Sequence, residues 1–202
     1  MQRYDEFYRK YFLYNCFAEQ QLSGYRYRHS RCVAELASDL CRKWGVDPDK
    51  GFVAGLLHDI AREKEPAVLL NLALLDGYSV SAPEMANPVL LHARAAVMLI
   101  RKELGINDKE IHQAILDHIA GRPAMNLLSS TVFIADLLEP SRDFIEETER
   151  LKILDQNIDN MLLYVIEKTA AYYAEEGKTI LTDTWELYNE VKERIKTNHE
   201  KE

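Results

Sequence analysis

Residues 52–57, FVAGLL, form an almost unbroken apolar run, and the next two residues are His58 and Asp59. A stretch that apolar is buried on several faces, and burying an unpaired carboxylate costs several kcal/mol or forces it to take up a proton. Any fold of this chain must therefore supply Asp59 with a partner inside its core.

Apolar residues recur at helical spacing along nearly the whole chain, strand-like alternation is hard to find, and the glycines and prolines fall between the helical runs. The pattern predicts an all-α fold, a single helical domain over residues 1–202. Helices are expected at 3–21, 25–44, 49–61, 65–75, 88–104, 108–119, 126–138, 155–176 and 182–196. Gly45, Gly105 and Gly121 each close one of them, and the turns GVDPDK and GIND add an Asp or Asn able to cap the next helix. Residues 76–88, DGYSVSAPEMANP, read as one long irregular connection, either a lid or a plain loop. The acidic run at 143–150 reads as a solvated face. Tyr4, Phe7, Tyr8, Tyr11 and Phe12 crowd the first helix and are expected against the core, in a monomer or a homodimer.

At 202 residues the chain is long enough for a substantial core without disulfides. No apolar stretch approaches the roughly 20 residues that span a bilayer, which predicts no membrane association. The first residues carry scattered charges and no compact apolar segment, so the expected location is cytoplasmic. Cys16, Cys32 and Cys41 form no CxxC pair and read as core thiols. A net charge of −8 disfavours sequence-independent binding to nucleic acid, so an anionic ligand must be held by metal or by a few local arginines.

Of the six histidines, four fall on inward faces. His29 is followed by Val33, Leu36, Ala37, Leu40 and Trp44 on one side of a helix; His92 leads Ala95, Ala96 and Leu99; His118 follows Ile111, Ala114 and Ile115. Asp136 follows Val132 and Phe133 in the same geometry, whereas His112 and His199 read as surface residues. Four histidines and two aspartates left as separate polar groups would be a costly core, and coordination to metal satisfies them together. Nitrogen and oxygen donors without thiolate suit iron, manganese, cobalt or zinc in a catalytic rather than a purely structural site.

The order H…HD…H…H…D, as His29, His58 with Asp59, His92, His118 and Asp136, resembles the dinuclear branch of the HD-domain metal-dependent phosphohydrolases. The segments HSRCVAELASDLCRKWGVDPDKGFVAGLLHDIAR, HIAGRPAMNLL, FIADLLEPSRDF and EEGKTILTDTWELYN are similar to the symmetrical diadenosine tetraphosphatases of the YqeK type, over roughly residues 18–196. Arg62 stands where that family usually has lysine, Cys32 where it has arginine or glycine, and ARAA follows His92 in place of a more familiar Gly-Pro-Val-Gly.

The resemblance implies an HD-domain helical bundle with two transition-metal ions in its core, iron first, with manganese or cobalt as alternatives. One ion would be held by His29, His58, Asp59 and Asp136, and the other by His92, His118 and a shared oxygen of Asp59. On a helix His58 and Asp59 point about 100° apart and can approach one ion from two directions. Two ions so placed activate water, orient a phosphate and stabilise charge in an in-line displacement. Catalysis is then expected from Asp59, His58 and Arg122, and substrate contacts from Arg62, Arg122, Arg142, His92 and His118, with Lys64 and Asp117 as weaker candidates. The implied reaction is hydrolysis of diadenosine tetraphosphate to two ADP. Hydrolysis of another nucleotide, a nucleoside monophosphate or a deoxynucleoside triphosphate, and a catalytically silent nucleotide-binding regulator are the alternatives.

Overall fold

The computed structural model describes residues 8–199, and among them every regular element is helical. The α-helices are α1 (Phe12–Gln21), α2 (Gly24–Lys43), α3 (Pro48–Leu57), α4 (Pro66–Ala73), α5 (Ala82–Ala86), α6 (His92–Leu104), α7 (Lys109–Asp117), α8 (Leu127–Leu138), α9 (Glu147–Leu154), α10 (Ile158–Glu175) and α11 (Thr182–His199). Short 3-10 turns at Leu74–Asp76 and Pro88–Leu91 follow α4 and lead into α6. No helix among the described residues is long and apolar enough to cross a membrane.

The capping residues fall where the sequence puts them. Asp47 accepts the Asp49 amide at the start of α3, Asp108 accepts those of Glu110 and Ile111 at the start of α7, and Gly105 closes α6 in the left-handed region at φ 64°.

The closest pair is α2 with α3. A Cβ on Gly55 would sit 2.8 Å from the Cα of Ala34, and one on Gly51 would sit 2.9 Å from the Ala37 carbonyl oxygen. The two helices thus touch backbone to backbone, an approach that only glycine permits. It fixes His29 on α2 against His58 at the end of α3. Around this pair the buried side chains Phe52, Leu56, Leu57, Ile60, Ile115, Ile134 and Leu138 form one continuous core.

Several boundaries differ from the expectation. The predicted helix 49–61 ends at Leu57, because the His58 ring Nδ1 bonds the Gly55 carbonyl (2.7 Å), the acceptor that the Asp59 amide would need to continue the helix. Residues 58–63 instead form tight turns with bonds three residues apart, among them Arg62 amide to Asp59 carbonyl at 2.8 Å. His58 and Asp59 therefore stand just beyond a helix rather than on one. The run at 143–150 is not merely a solvated face: Ile145 and Arg150 are buried, and α9 begins at Glu147.

The supposed irregular connection at 76–88 contains α5, started by a Ser81–Glu84 capping box. Arg94 clasps it through Asp76, Glu84 and the carbonyls of Tyr78 and Ser79, so this arginine of the ARAA segment is occupied outside the site. Of the first aromatic cluster, Tyr4 and Phe7 lie outside the described residues. Tyr11 is buried and stacks on Phe52 at 4.2 Å, whereas Phe12 is exposed. Cys41 is a core thiol; Cys16 and Cys32 are only half-buried.

Candidate metal centre

The four inward histidines and two aspartates meet in one cluster inside the core. His29 lies on α2 and Asp136 on α8, but His58, His92 and His118 occupy helix ends: after α3, at the first residue of α6 and after α7. The three share one contact. In each of the three the ring Nδ1 bonds the carbonyl three residues back, Gly55 at 2.7 Å, Val89 at 2.5 Å and Ile115 at 2.6 Å. A carbonyl only accepts, so Nδ1 carries the proton and Nε2 carries a lone pair. His29 uses a carboxylate for the same purpose, its Nδ1 lying 3.0 Å from Glu139 Oε1. All four rings therefore present Nε2 to the centre, oriented from behind as metal-binding imidazoles are.

Asp59 divides the cluster. Its Oδ2 lies 3.5 Å from His58 Nε2 and 3.9 Å from His29 Nε2, while its Oδ1 lies 3.1 Å from His92 Nε2 and 3.6 Å from His118 Nε2. Asp136 Oδ1 completes the first group, 3.0 Å from His29 Nε2 and 3.7 Å from His58 Nε2. Donors bound to one ion at about 2.1 Å and at right angles lie about 3 Å apart, and tetrahedral donors somewhat more. The His29–Asp136 and His92–Asp59 separations fall in that range, and the other four, at 3.5–3.9 Å, lie just beyond it. Donor atoms of His29, His58 and Asp59, of His58, His118 and Asp136, and of Asp59, His92 and His118 each lie within 4.8 Å of one another.

Two further observations fit a cation. The Nε2 atom of His58 is buried without a hydrogen-bond partner. His92 and His118 face each other Nε2 to Nε2 at 2.9 Å, two lone pairs that repel unless a positive charge stands beside them. The residues present thus suit a metal bound by imidazole and carboxylate.

The charges agree. Burial pushes the Asp59 carboxyl up, but His58, His118 and His92 hold it well below the usual carboxylate range, so it stays ionised. Asp136 is likewise lowered against burial, by His29 first and then by His58 and Arg142. Burial lowers His92 to about 4, which keeps it neutral. His29 goes the other way: burial lowers it, but Asp136 and Glu139 on its two nitrogens raise it to about 9, so without an ion its Nε2 keeps a proton facing Asp136, which metal binding would release.

The profile of the HD domain family matches residues 26–141, a span that contains all six of these residues. This chain belongs to the HD domain family. It is 32% identical over 184 residues to the symmetrical bis(5'-nucleosyl)-tetraphosphatase of Bacillus subtilis, covering 85% of this chain and 91% of that protein. The protein of the same description from Halalkalibacterium halodurans is 31% identical over 172 residues, covering 84% of this chain and 90% of that one. The crystal structure of a predicted HD superfamily hydrolase involved in NAD metabolism from Clostridium acetobutylicum matches with a TM-score of 0.84 and 30% identity, over 91% of this chain and 97% of that chain.

The arginines of this HD domain divide into two groups. Arg142 reaches Asp136 Oδ1 at 3.0 Å, and Arg62 lies 3.2 Å from the His92 ring, both half-buried beside the cluster. Arg122 does not touch the six residues; it bonds Asp117 Oδ1 at 2.9 Å, next to His118 in sequence. Lys64 is taken up by Gln21 at 2.8 Å. His112 is half-buried and bonds the Ile106 carbonyl, away from the centre.

Two members of the HD site escape the inward-face reading. Arg26 bonds Asp59 Oδ2 at 2.8 Å, and Glu139 backs His29. Both stand three residues from a cluster residue, Arg26 before His29 and Glu139 after Asp136. A three-residue offset places side chains on neighbouring positions of a helix, and that spacing is the signal that finds them.

Proposed function

We propose that this HD domain hydrolyses dinucleoside tetraphosphates symmetrically, diadenosine tetraphosphate and water giving two ADP, at a dinuclear centre of transition-metal ions. The observation that carries the reading is the split of Asp59, whose two oxygens face two separate histidine groups. A buried carboxylate shared between two cations is neutralised from both sides, which answers the demand set by the apolar run before it.

In this reading His29, His58, Asp59 and Asp136 hold one ion, and His92, His118 and Asp59 hold the other. Donors of nitrogen and oxygen without thiolate suit iron, with manganese or cobalt as alternatives. When bound, such ions supply Lewis-acid stabilisation of a phosphoryl oxygen and activation of water. The chain itself does the rest. The Nδ1 bonds hold four imidazoles in the ligating tautomer, and the buried walls exclude bulk water from the reacting phosphorus. Arg62, Arg122 and Arg142 contact phosphate, their planar guanidinium groups matching its oxygens in pairs.

Substrate identity is drawn from the relatives, both of which are described as symmetrical tetraphosphatases and both of which this chain covers nearly end to end. A nucleotide substrate and the acidic overall charge suit an enzyme of the cytoplasm. The test is metal analysis of the purified protein together with turnover of a nucleotide panel in the same preparation. Two ions per chain and preference for diadenosine tetraphosphate uphold the proposal; preference for a nucleoside monophosphate or a deoxynucleoside triphosphate redirects it to another substrate.

A further inference from the structure

Three of the four site histidines are oriented by backbone carbonyls, and only His29 is oriented by a charged group. That group, Glu139, is fully buried at the end of α8, three residues past Asp136. It is held rigidly, with Oε2 accepting the Ser141 amide at 2.6 Å and Oε1 accepting the Ser141 hydroxyl at 2.7 Å, while Arg142 stays 3.7 Å away. A buried carboxylate behind an imidazole makes the opposite nitrogen a stronger donor, and it does so more than a neutral carbonyl does. The His29 half of the centre also holds Asp136, a second carboxylate that the His92 half lacks, while arginines stand on both sides, Arg26 and Arg142 against the carboxylates of the first and Arg62 against the ring of the second. The extra carboxylate and the Glu139 contact favour a cation on the His29 side.

We propose that Glu139 is the positioning residue that sets the metal affinity of the His29 half-site and makes it the tighter of the two. This rests on the dinuclear reading only in comparing two half-sites; the effect on the ion at His29 stands on the Glu139–His29 contact. The competing role is structural, Glu139 merely fixing the turn at Ser141 that follows α8.

The experiment titrates metal-free protein with Mn²⁺, following binding calorimetrically, for the wild type, Glu139→Gln, His29→Ala and the double variant, with circular dichroism as a check on folding. Wild type should show a tight and a weaker site. Glu139→Gln should weaken the tight site about 10–100-fold and leave the other unchanged. In the His29→Ala background the same substitution should change nothing further, because the ring it acts through is gone. Turnover lost by Glu139→Gln at limiting Mn²⁺ should return in excess metal. Unchanged affinity in a folded Glu139→Gln, or equal losses with and without His29, would overturn the proposal. A wild type that takes a single ion overturns the dinuclear reading, and Glu139 is then judged on that ion by the same cycle. A wild type that binds none overturns both.

Discussion

His92 and His118 point Nε2 to Nε2 at 2.9 Å while each has its Nδ1 proton committed to a backbone carbonyl. As neutral rings neither can donate to the other, a repulsion that a cation beside them would relieve, and Asp59 Oδ1 lies 3.1 Å and 3.6 Å from them, placed to share such a cation. The same residue turns its other oxygen to His58 and His29. Removing single members of this arrangement has different consequences according to what each one touches.

Asp59→Ala should abolish most metal binding and lower turnover by about a thousandfold or more, since it removes the one ligand facing both groups. Metal content by mass spectrometry and steady-state rates check this. A variant with two bound ions and a near-normal rate would remove Asp59 from the centre.

His118→Ala should keep the fold and the ion on the His29 side, lose the second ion, and lower kcat about a hundredfold. Stoichiometry falling from two to one is the diagnostic result. Unchanged stoichiometry would make His118 an ordinary core histidine.

Arg122→Ala should leave metal content untouched, because Arg122 bonds Asp117 and none of the six clustered residues. Its kcat/KM should fall roughly 100-fold, about 2.7 kcal/mol of lost transition-state stabilisation. Equal kinetics in wild type and variant would take Arg122 out of substrate binding.

Cys32 should alkylate slowly at neutral pH. Burial first, then the negative Glu139 and Glu35, push its thiol up to about 11. The thiolate is the reactive form, so a raised value means that the proton stays on and reactivity keeps rising, about tenfold per pH unit, through pH 10. Rates with iodoacetamide, resolved by peptide mass spectrometry between pH 7 and 10, measure it. Levelling off near pH 8.5 would contradict the environment described for Glu139.

The elements carrying the cluster were legible in the sequence because helical periodicity exposes which side of a helix is apolar, and His29 and Asp136 stand on such sides within α2 and α8. The helix ends were not. His58 and His118 stop their own helices by taking a carbonyl with a ring nitrogen, a competition that periodicity does not register. Helix α9 was hidden for another reason: its sequence ETERLKIL is largely polar, and its anchors are a buried arginine and the preceding Ile145. Arg26 and Glu139 have charged side chains, which composition assigns to the surface. The half-burial of Arg26 and the full burial of Glu139 follow from partners that only the fold brings together.

The central claim is symmetrical cleavage at a centre divided by Asp59, and product analysis of diadenosine tetraphosphate hydrolysed in oxygen-18 water tests it most directly. If one nucleoside and its two phosphates are gripped by the centre and the arginines, water attacks the second phosphorus from that nucleoside and the other nucleoside diphosphate leaves. ADP should then be the sole nucleotide product, with one label for every two ADP molecules. AMP appearing together with ATP would contradict it.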